Sequence, residues 1–321
     1  MAILMDVFLA VVVCALALVP AEAAALPDGY GISARYPGDQ GIAKDPAVLF
    51  AEDFEGTSLE RVRQHWGGQT NNEQGVLSLS SGVPAGSAGK YSLEITATRG
   101  QNQGGSLYVQ LPRAVDTAFA RFYVKYDSKH FAYHCGIHFG GYNPPTAWPQ
   151  GDRHPRGDDC MMVEIMPVGA YGKPEPPAWE IAGFWPEMKI SVDGNYWGNS
   201  LSPARPALVA LDRWQCVEVM FRSNSAPDKS DGDLALWLDG QLAMHIGPGV
   251  FRGPWSGMGF RLAAQGGEPF QGFQWRTSNE LKINFLWLLY NVTNPNPASP
   301  VSHVWYDDIV VSTQYVGPIS R

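Results

Sequence analysis

Past its first 25 residues the sequence has no long apolar run, and it has few charges and few cysteines throughout. Each shortage excludes something. Four cysteines in 321 residues are too few for a disulfide framework. Their spacings match neither a CxxC pair nor a zinc site. Charged residues make up 17% of the chain, with 23 basic against 31 acidic. An acidic chain with no basic block is a poor nucleic-acid binder. No strongly amphipathic helix is visible beyond a possible turn at "SLERVRQHW". No later segment is apolar enough to span a bilayer.

The one apolar run, "VFLAVVVCALALV", spans Val7 to Val19 and is followed by "PAEAAA". It is short for a transmembrane helix and ends in a small-x-small cleavage pattern, so residues 1–23 read as a secretory signal peptide. The leading "MAILMD" has no basic residue, which leaves an uncleaved anchor as the alternative. Cleavage leaves a secreted chain, extracellular or periplasmic, with no membrane contact. It carries 23 basic and 29 acidic residues. Export permits a disulfide, but Cys135, Cys160 and Cys216 allow only one, and spacing does not choose the pair.

What is abundant is turn chemistry and β-formers. Gly and Pro number 35 and 25, yet 45% of residues are hydrophobic. Residues 24–45 read as an extended lead-in. From Val48 onward short β-rich segments alternate with Gly, Pro, Asn and Asp clusters. In "DLALWLDGQLAMHI", Asp239-Gly240 between alternating strands is a hairpin signal. Many short strands without helical spacers predict one all-β domain over 46–321: a concanavalin-like jelly roll of two antiparallel sheets with a concave sugar-binding face.

Three of the seven histidines fall in "HFAYHCGIHFGG". Strand alternation puts His130, His134 and His138 on one face, opposite Phe131, Tyr133, Cys135, Ile137 and Phe139. Residues four apart in a strand lie roughly 13 Å apart, too far to share one zinc ion. The row therefore reads as part of a cleft lining. In "RFYVKY", Arg121, Tyr123 and Lys125 share a face. In "CMMVEIMPV", Glu164 lies between methionines, and an unpaired buried carboxylate is costly, so it should face a cleft or a partner. The long loop "YNPPTAWPQGDRHPRGDD" adds Trp148 and Arg153. Lys282, Asn284 and Tyr290 share a face in "KINFLWLLYN".

The order "RWQC-x-E", a polar turn, "DGDLALWLDG", then "HVWYDDIVV", with "FAEDFEG" near the start, resembles the jelly-roll polysaccharide lyases. These include glucuronan lyases, viral-type alginate lyases and a fungal lyase-like relative induced with cellulases. The resemblance implies β-elimination on a uronate-containing polysaccharide by a monomeric protein. It also implies a structural calcium ion where the first and last strands meet. By position Glu55 and Asp307 match its ligands, with Asp308 the alternative. A uronate lyase must neutralise the C5 carboxylate, remove the C5 proton and protonate O4; His and Tyr suit the proton transfers. The expected catalytic set is His134 or His138 as base, Tyr123 or Tyr290 as acid, and Arg121 as carboxylate clamp. Lys125, Glu164, Trp148, Arg153 and Lys282 are expected to bind substrate. Glu164 stands where the resemblance implies a basic residue. A glucanase would need E-x-D-x-E on one strand; "VEIMPV" has one acid. The rival is a non-catalytic carbohydrate-binding protein, stacking sugars on Trp148, Trp185, Trp197, Trp255 or Trp275.

Overall fold

The computed structural model describes residues 26–56, 58–70, 75–128, 135–146, 152–169, 176–292 and 300–321. The signal segment and Trp148, His130 and His134 lie outside the described residues. In chain order the strands are β1 (Val48–Glu52), β2 (Gly68–Thr70), β3 (Leu77–Ser80), β4 (Ser92–Thr98), β5 (Gly104–Val115), β6 (Thr117–Tyr126), β7 (Cys135–Tyr142), β8 (Cys160–Val168) and β9 (Ala178–Phe184). They continue with β10 (Asn199–Ser202), β11 (Gln215–Arg222), β12 (Asp233–Leu238), β13 (Gln241–Ile246), β14 (Phe251–Arg252), β15 (Phe260–Arg261), β16 (Glu268–Pro269), β17 (Ile283–Asn291) and β18 (Val301–Ser312). One α-helix, α1 (Leu59–Trp66), forms at the "SLERVRQHW" turn. No helix among the described residues is long and apolar enough to cross a membrane.

Among the described residues the strands build two eight-stranded sheets and a small β14-β16 pair. The first runs β13-β12-β11-β6-β18-β4-β3, with β1 also on β18; the second runs β15-β10-β9-β8-β7-β17-β5-β2. Pairings are antiparallel except β10 with β15. The chain is thus the expected antiparallel jelly roll. Alternation explains its core. From β6, Ala118, Ala120, Phe122, Val124 and Tyr126 enter the inter-sheet core; from β7, Cys135, Ile137 and Phe139 do; from β8, Met161, Val163 and Ile165. Such a layer is buried for its apolar area, at about 25 cal/mol per Å². The Asp239-Gly240 turn has both residues at positive φ, 51° and 79°, as a two-residue hairpin turn requires.

The lead-in is not extended. It makes three short 3-10 turns, Ile32–Arg35, Pro37–Asp39 and Ile42–Lys44, and lies with the C-terminal tail over the outer face of the first sheet. Trp237 Nε1 donates to Pro27 O at 2.7 Å, and Tyr315 Oη donates to Gly29 O at 3.0 Å. Glu218 accepts the Val316 and Gly317 amides at 2.7 and 2.8 Å. Cys135, Cys160 and Cys216 are all buried free thiols.

Candidate active site

The outer face of the second sheet carries the candidate site. Register sets out its central row: Tyr108 on β5, Trp287 on β17, His138 on β7, Glu164 on β8, Ala182 on β9 and Ser200 on β10. His138 points here because Ile137 and Phe139 take the core side. Its Nε2 lies 3.4 Å from Glu164 Oε1, and its ring meets Trp287 edge-on at 4.9 Å. Both polar side chains are nearly sealed, His138 at 11% exposure and Glu164 at 7%. Burial pushes the Glu164 carboxyl up to about 8, so at neutral pH it is chiefly the uncharged acid.

The neighbouring rows are apolar or small on one side and polar on the other. One holds Phe285, Gly140, Met162 and Phe184; Phe285 stacks on Tyr108 at 5.9 Å and leans on Tyr142 at 5.8 Å. The other holds Ser106, Leu289, Gly136, Met166, Glu180 and Ser202. Glu180 accepts from Ser200 Oγ at 2.5 Å and Ser202 Oγ at 2.9 Å. The glycines beside His138 do not merely leave space for a ligand. A Cβ on Gly136, whose φ is 146°, would lie 2.0 Å from Ile165 O, so the neighbouring strand itself demands glycine. Among the described residues no Lys or Arg lies in these three rows.

Several predicted site residues are elsewhere and do not converge on His138. Arg121, Tyr123 and Lys125 do share a face, but it is the outer face of the first sheet, across the core from His138. Arg121 is fully buried there and ion-paired with Asp39 of the lead-in. The Tyr123 hydroxyl oxygen accepts the Ile319 amide at 2.9 Å. Lys125 Nζ sits 4.1 Å above the Trp305 ring and 5.6 Å from that of Trp214. Tyr290 points between the sheets and is 1% exposed. The parity that sends Phe285, Trp287 and Leu289 outward sends Tyr290 inward.

Lys282 is at the end of the second sheet, bound to Asp116 at 3.0 Å. Asp116 also binds Arg276 at 2.5 Å. Burial would raise the Asp116 carboxyl, but the two cations hold it low. Arg153 is at the mouth of the β7–β8 loop, half-exposed, 3.3 Å from Asp159. Beside it His154 stacks on Tyr196 at 4.3 Å. Of the tryptophans, Trp185 and Trp275 are core. Trp197 is exposed, donating to Asp193 at 2.6 Å, and Trp255 is covered by Lys189 at 4.6 Å.

Glu55 and Asp307 stand at the predicted junction. β1 pairs with β18, placing Glu52 opposite Ile309. Glu55 Oε1 accepts the amides of Lys90 and Tyr91. Asp307 and Asp308 are 1% and 4% exposed, and Oδ2 of each is buried without a hydrogen-bond partner. Burial and the Asp308 charge push Asp307 upward.

Tyr108, Phe285, Trp287 and Glu180 were missed from sequence. "INFLWLLY" is apolar on both faces, so alternation could not say which side Trp287 takes. Glu180 in "WEIAGF" carried the same signal as Glu164, a lone acid within a strand.

The class defined by this architecture is the antiparallel jelly-roll sandwich with an aromatic and polar outer sheet face. No protein-family model matches the chain and no curated sequence is close enough to match. Solved structures are similar in fold. An alginate lyase, Aly36B, in complex with an alginate tetrasaccharide superposes with a TM-score of 0.54 at 14% identity, over 86% of this chain and 99% of that one. The marine PL-14 alginate lyase from Aplysia kurodai gives 0.53 at 12%, over 82% and 98%. The alginate lyase vAL-1 from Chlorella virus gives 0.51 at 14%, over 83% and 99%. At these identities the likeness establishes the fold, and fold alone does not fix chemistry.

Proposed function

We propose that this chain is a secreted, monomeric polysaccharide lyase that cleaves a uronate-containing glycan by β-elimination. The observation that carries the reading is His138 beside Glu164 in the central row of the second sheet's outer face, in a fold shared with alginate lyases. An imidazole there can take the C5 proton of a sugar laid along the sheet. Trp287, the half-buried aromatic of the central row, offers apolar surface of the kind that sugar rings stack on. Arg153, half-exposed in the β7–β8 loop beside Asp159, is a cation that a polyanion would meet. A purely binding role has its own support in that tryptophan.

One experiment separates the two: absorbance of unsaturated ends on a panel of uronans, with binding measured in parallel. The lyase reading expects product, and expects His138→Ala to lower turnover about 10²–10⁴-fold. Binding without product on any uronan would leave the carbohydrate-binding reading standing and end the lyase one.

We also propose a structural calcium ion held by Glu55 and Asp307. Asp307 Oδ2 is buried without a hydrogen-bond partner, and so is Oδ2 of the adjacent Asp308; such oxygens fit a hard dication. Among the described residues no three His, Cys, Asp or Glu side chains converge on one point, so backbone carbonyls would complete the shell. The ion would supply charge neutralisation and a cross-link between the first and last strands.

A further inference from the structure

Where β1 meets β18 the protein holds a cavity of about 640 Å³, bounded by the lead-in, β1, α1 and β18. That volume falls within the roughly 300–1,000 Å³ of small-molecule sites. Both strands belong to the first sheet, so the cavity plays no part in the proposed elimination. Five of its wall residues are acids: Asp39, Glu52, Asp53, Glu55 and Asp308. The bases on the wall are Arg61 and His65 of α1. Ile42, Val62 and Val310 give it apolar surface.

The acids differ in what they already hold. Glu52 is committed: Oε1 accepts the Phe54 amide at 2.9 Å, and Oε2 accepts Trp66 Nε1 at 3.1 Å and lies 3.0 Å from His65 Nδ1. Glu55 Oε1 accepts the Lys90 and Tyr91 amides, and Asp53 Oδ1 accepts the Glu55 amide at 3.1 Å. Asp39 and Asp308 each keep an oxygen in reserve. Asp39 gives Oδ2 to Arg121, while its Oδ1 is buried without a hydrogen-bond partner. Asp308 Oδ2 is also buried and unpartnered. The Asp39 side chain is 5% exposed and Asp308 is 4% exposed. Unpaired carboxylate oxygens at that depth are costly and uncommon. Both residues line the cavity, so an occupant there can pair them. Asp39, Phe54 and Asp308 also hold positive φ, at 60°, 53° and 45°, a conformation kept only where the surroundings impose it.

We propose that this cavity binds a small organic cation: a primary ammonium on a neutral body, such as a diamine or an amino sugar. An ammonium offers three donors and no acceptor, which is what unpaired carboxylate oxygens lack. The excess of acids repels uronates, so the site does not extend the glycan face. The apolar wall suits a carbon skeleton and not the all-oxygen shell of a hard dication. Among the described residues no three His, Cys, Asp or Glu side chains converge to hold a metal. The cavity is also distinct from the Glu55 and Asp307 pair. Charged neighbours of Asp307 are Asp308, Glu55 and Asp53, whereas those of Asp308 are Arg121, Asp39 and Asp53. An occupant would touch the lead-in, β1, α1 and β18 together, so its binding fastens the lead-in to the sheet and stabilises the folded chain.

The test is calorimetry on the full chain, with and without saturating calcium at matched ionic strength. The probes are putrescine, glucosamine, N-acetylglucosamine and glucuronate. Putrescine, glucosamine or both should bind once per chain and raise the melting temperature; which of them binds tells a diamine from an amino sugar. N-acetylglucosamine, the same ring without the charge, and glucuronate should not bind. Added salt should weaken the binding, and calcium should leave it unchanged. Asp308→Asn should raise Kd at least about 10-fold. Ala43→Trp fills the cavity from an exposed residue of its wall and leaves every acid in place. It should abolish binding, and it reads the site even where Asp308→Asn does not fold. No heat from either ammonium probe would overturn the proposal. So would equal binding of N-acetylglucosamine, or full binding by Ala43→Trp. Loss of probe binding under saturating calcium would overturn it too, by making the cavity the calcium site. None of these outcomes bears on the lyase reading, which the uronan panel tests separately.

Discussion

Burying a carboxyl with one imidazole beside it costs stability whenever the carboxyl must ionise. The folded Glu164 sits at about 8, above the ordinary glutamate value of about 4.3. The native state therefore holds a proton that the unfolded chain gives up, so stability falls as pH rises between those values. The contribution is fully present below about pH 4 and gone above about pH 8. Glu164→Gln should melt with wild type at pH 4 and above it at pH 9, by a difference on the order of a few kcal/mol. An equal offset at both pH values would mean that packing, not ionisation, separates the two proteins. At this scale the sequence was partly readable. Strict alternation around His138, with Ile137 and Phe139 opposite, showed its outward face, and Glu164 stood out between methionines. Arg121 and Tyr123 were read onto the wrong sheet. Their strand alternates correctly, but both its faces are buried, one by the core and one by the terminal segments, and alternation cannot tell two buried faces apart.

Among elements, the unanticipated one is the double strap over the first sheet. The lead-in has no apolar periodicity, so nothing in its sequence marks it as packed. It is held by polar clasps: Asp39 to Arg121, Ser33 Oγ to Pro318 O at 2.7 Å, and the Glu218 carboxylate on the Val316 and Gly317 amides. Glu218 is 1% exposed. Burial raises it to about 7 against the pull of those two amides and Arg121. Truncation to alanine would strand two buried amides, each costing about 1–3 kcal/mol when unpaired. Glu218→Ala should therefore lower the denaturation free energy by about 2–4 kcal/mol and speed proteolysis of the tail. Unchanged denaturant midpoint and tail cleavage would show that the strap is held without this clasp. The Asp239-Gly240 hairpin, by contrast, was plain from sequence, because its turn depends on two local residues and not on what the sheet is packed against.

For the whole molecule, the question is what closes the sandwich where its first and last strands meet. Among the described residues β1 joins the first sheet through β18 alone, so that junction fixes the chain after the lead-in to the strand that precedes the tail. Fold class was readable because strand density, turn spacing and the absence of helical spacers are global properties that survive local error. The junction was readable only through resemblance, since two acids far apart in sequence carry no periodic signal. Its acids repel one another: Asp307 and Asp308 are adjacent, both sealed, each with an oxygen left unpaired. Arg121 pulls Asp308 down, but burial and the neighbouring charge hold Asp307 up, so the two carboxyls do not both ionise cheaply without a further cation. With one, the repulsion becomes coordination, and binding to the folded state alone adds RT ln(1 + [L]/Kd) to stability. Chelation should then lower the melting temperature. Re-added calcium should restore it with a midpoint that rises with calcium concentration, and Asp307→Asn should lose that dependence. Magnesium, which demands tighter octahedral geometry, should restore less. A melting temperature indifferent to chelator and calcium alike would leave the two aspartates sharing a proton and the junction closed by strand pairing alone.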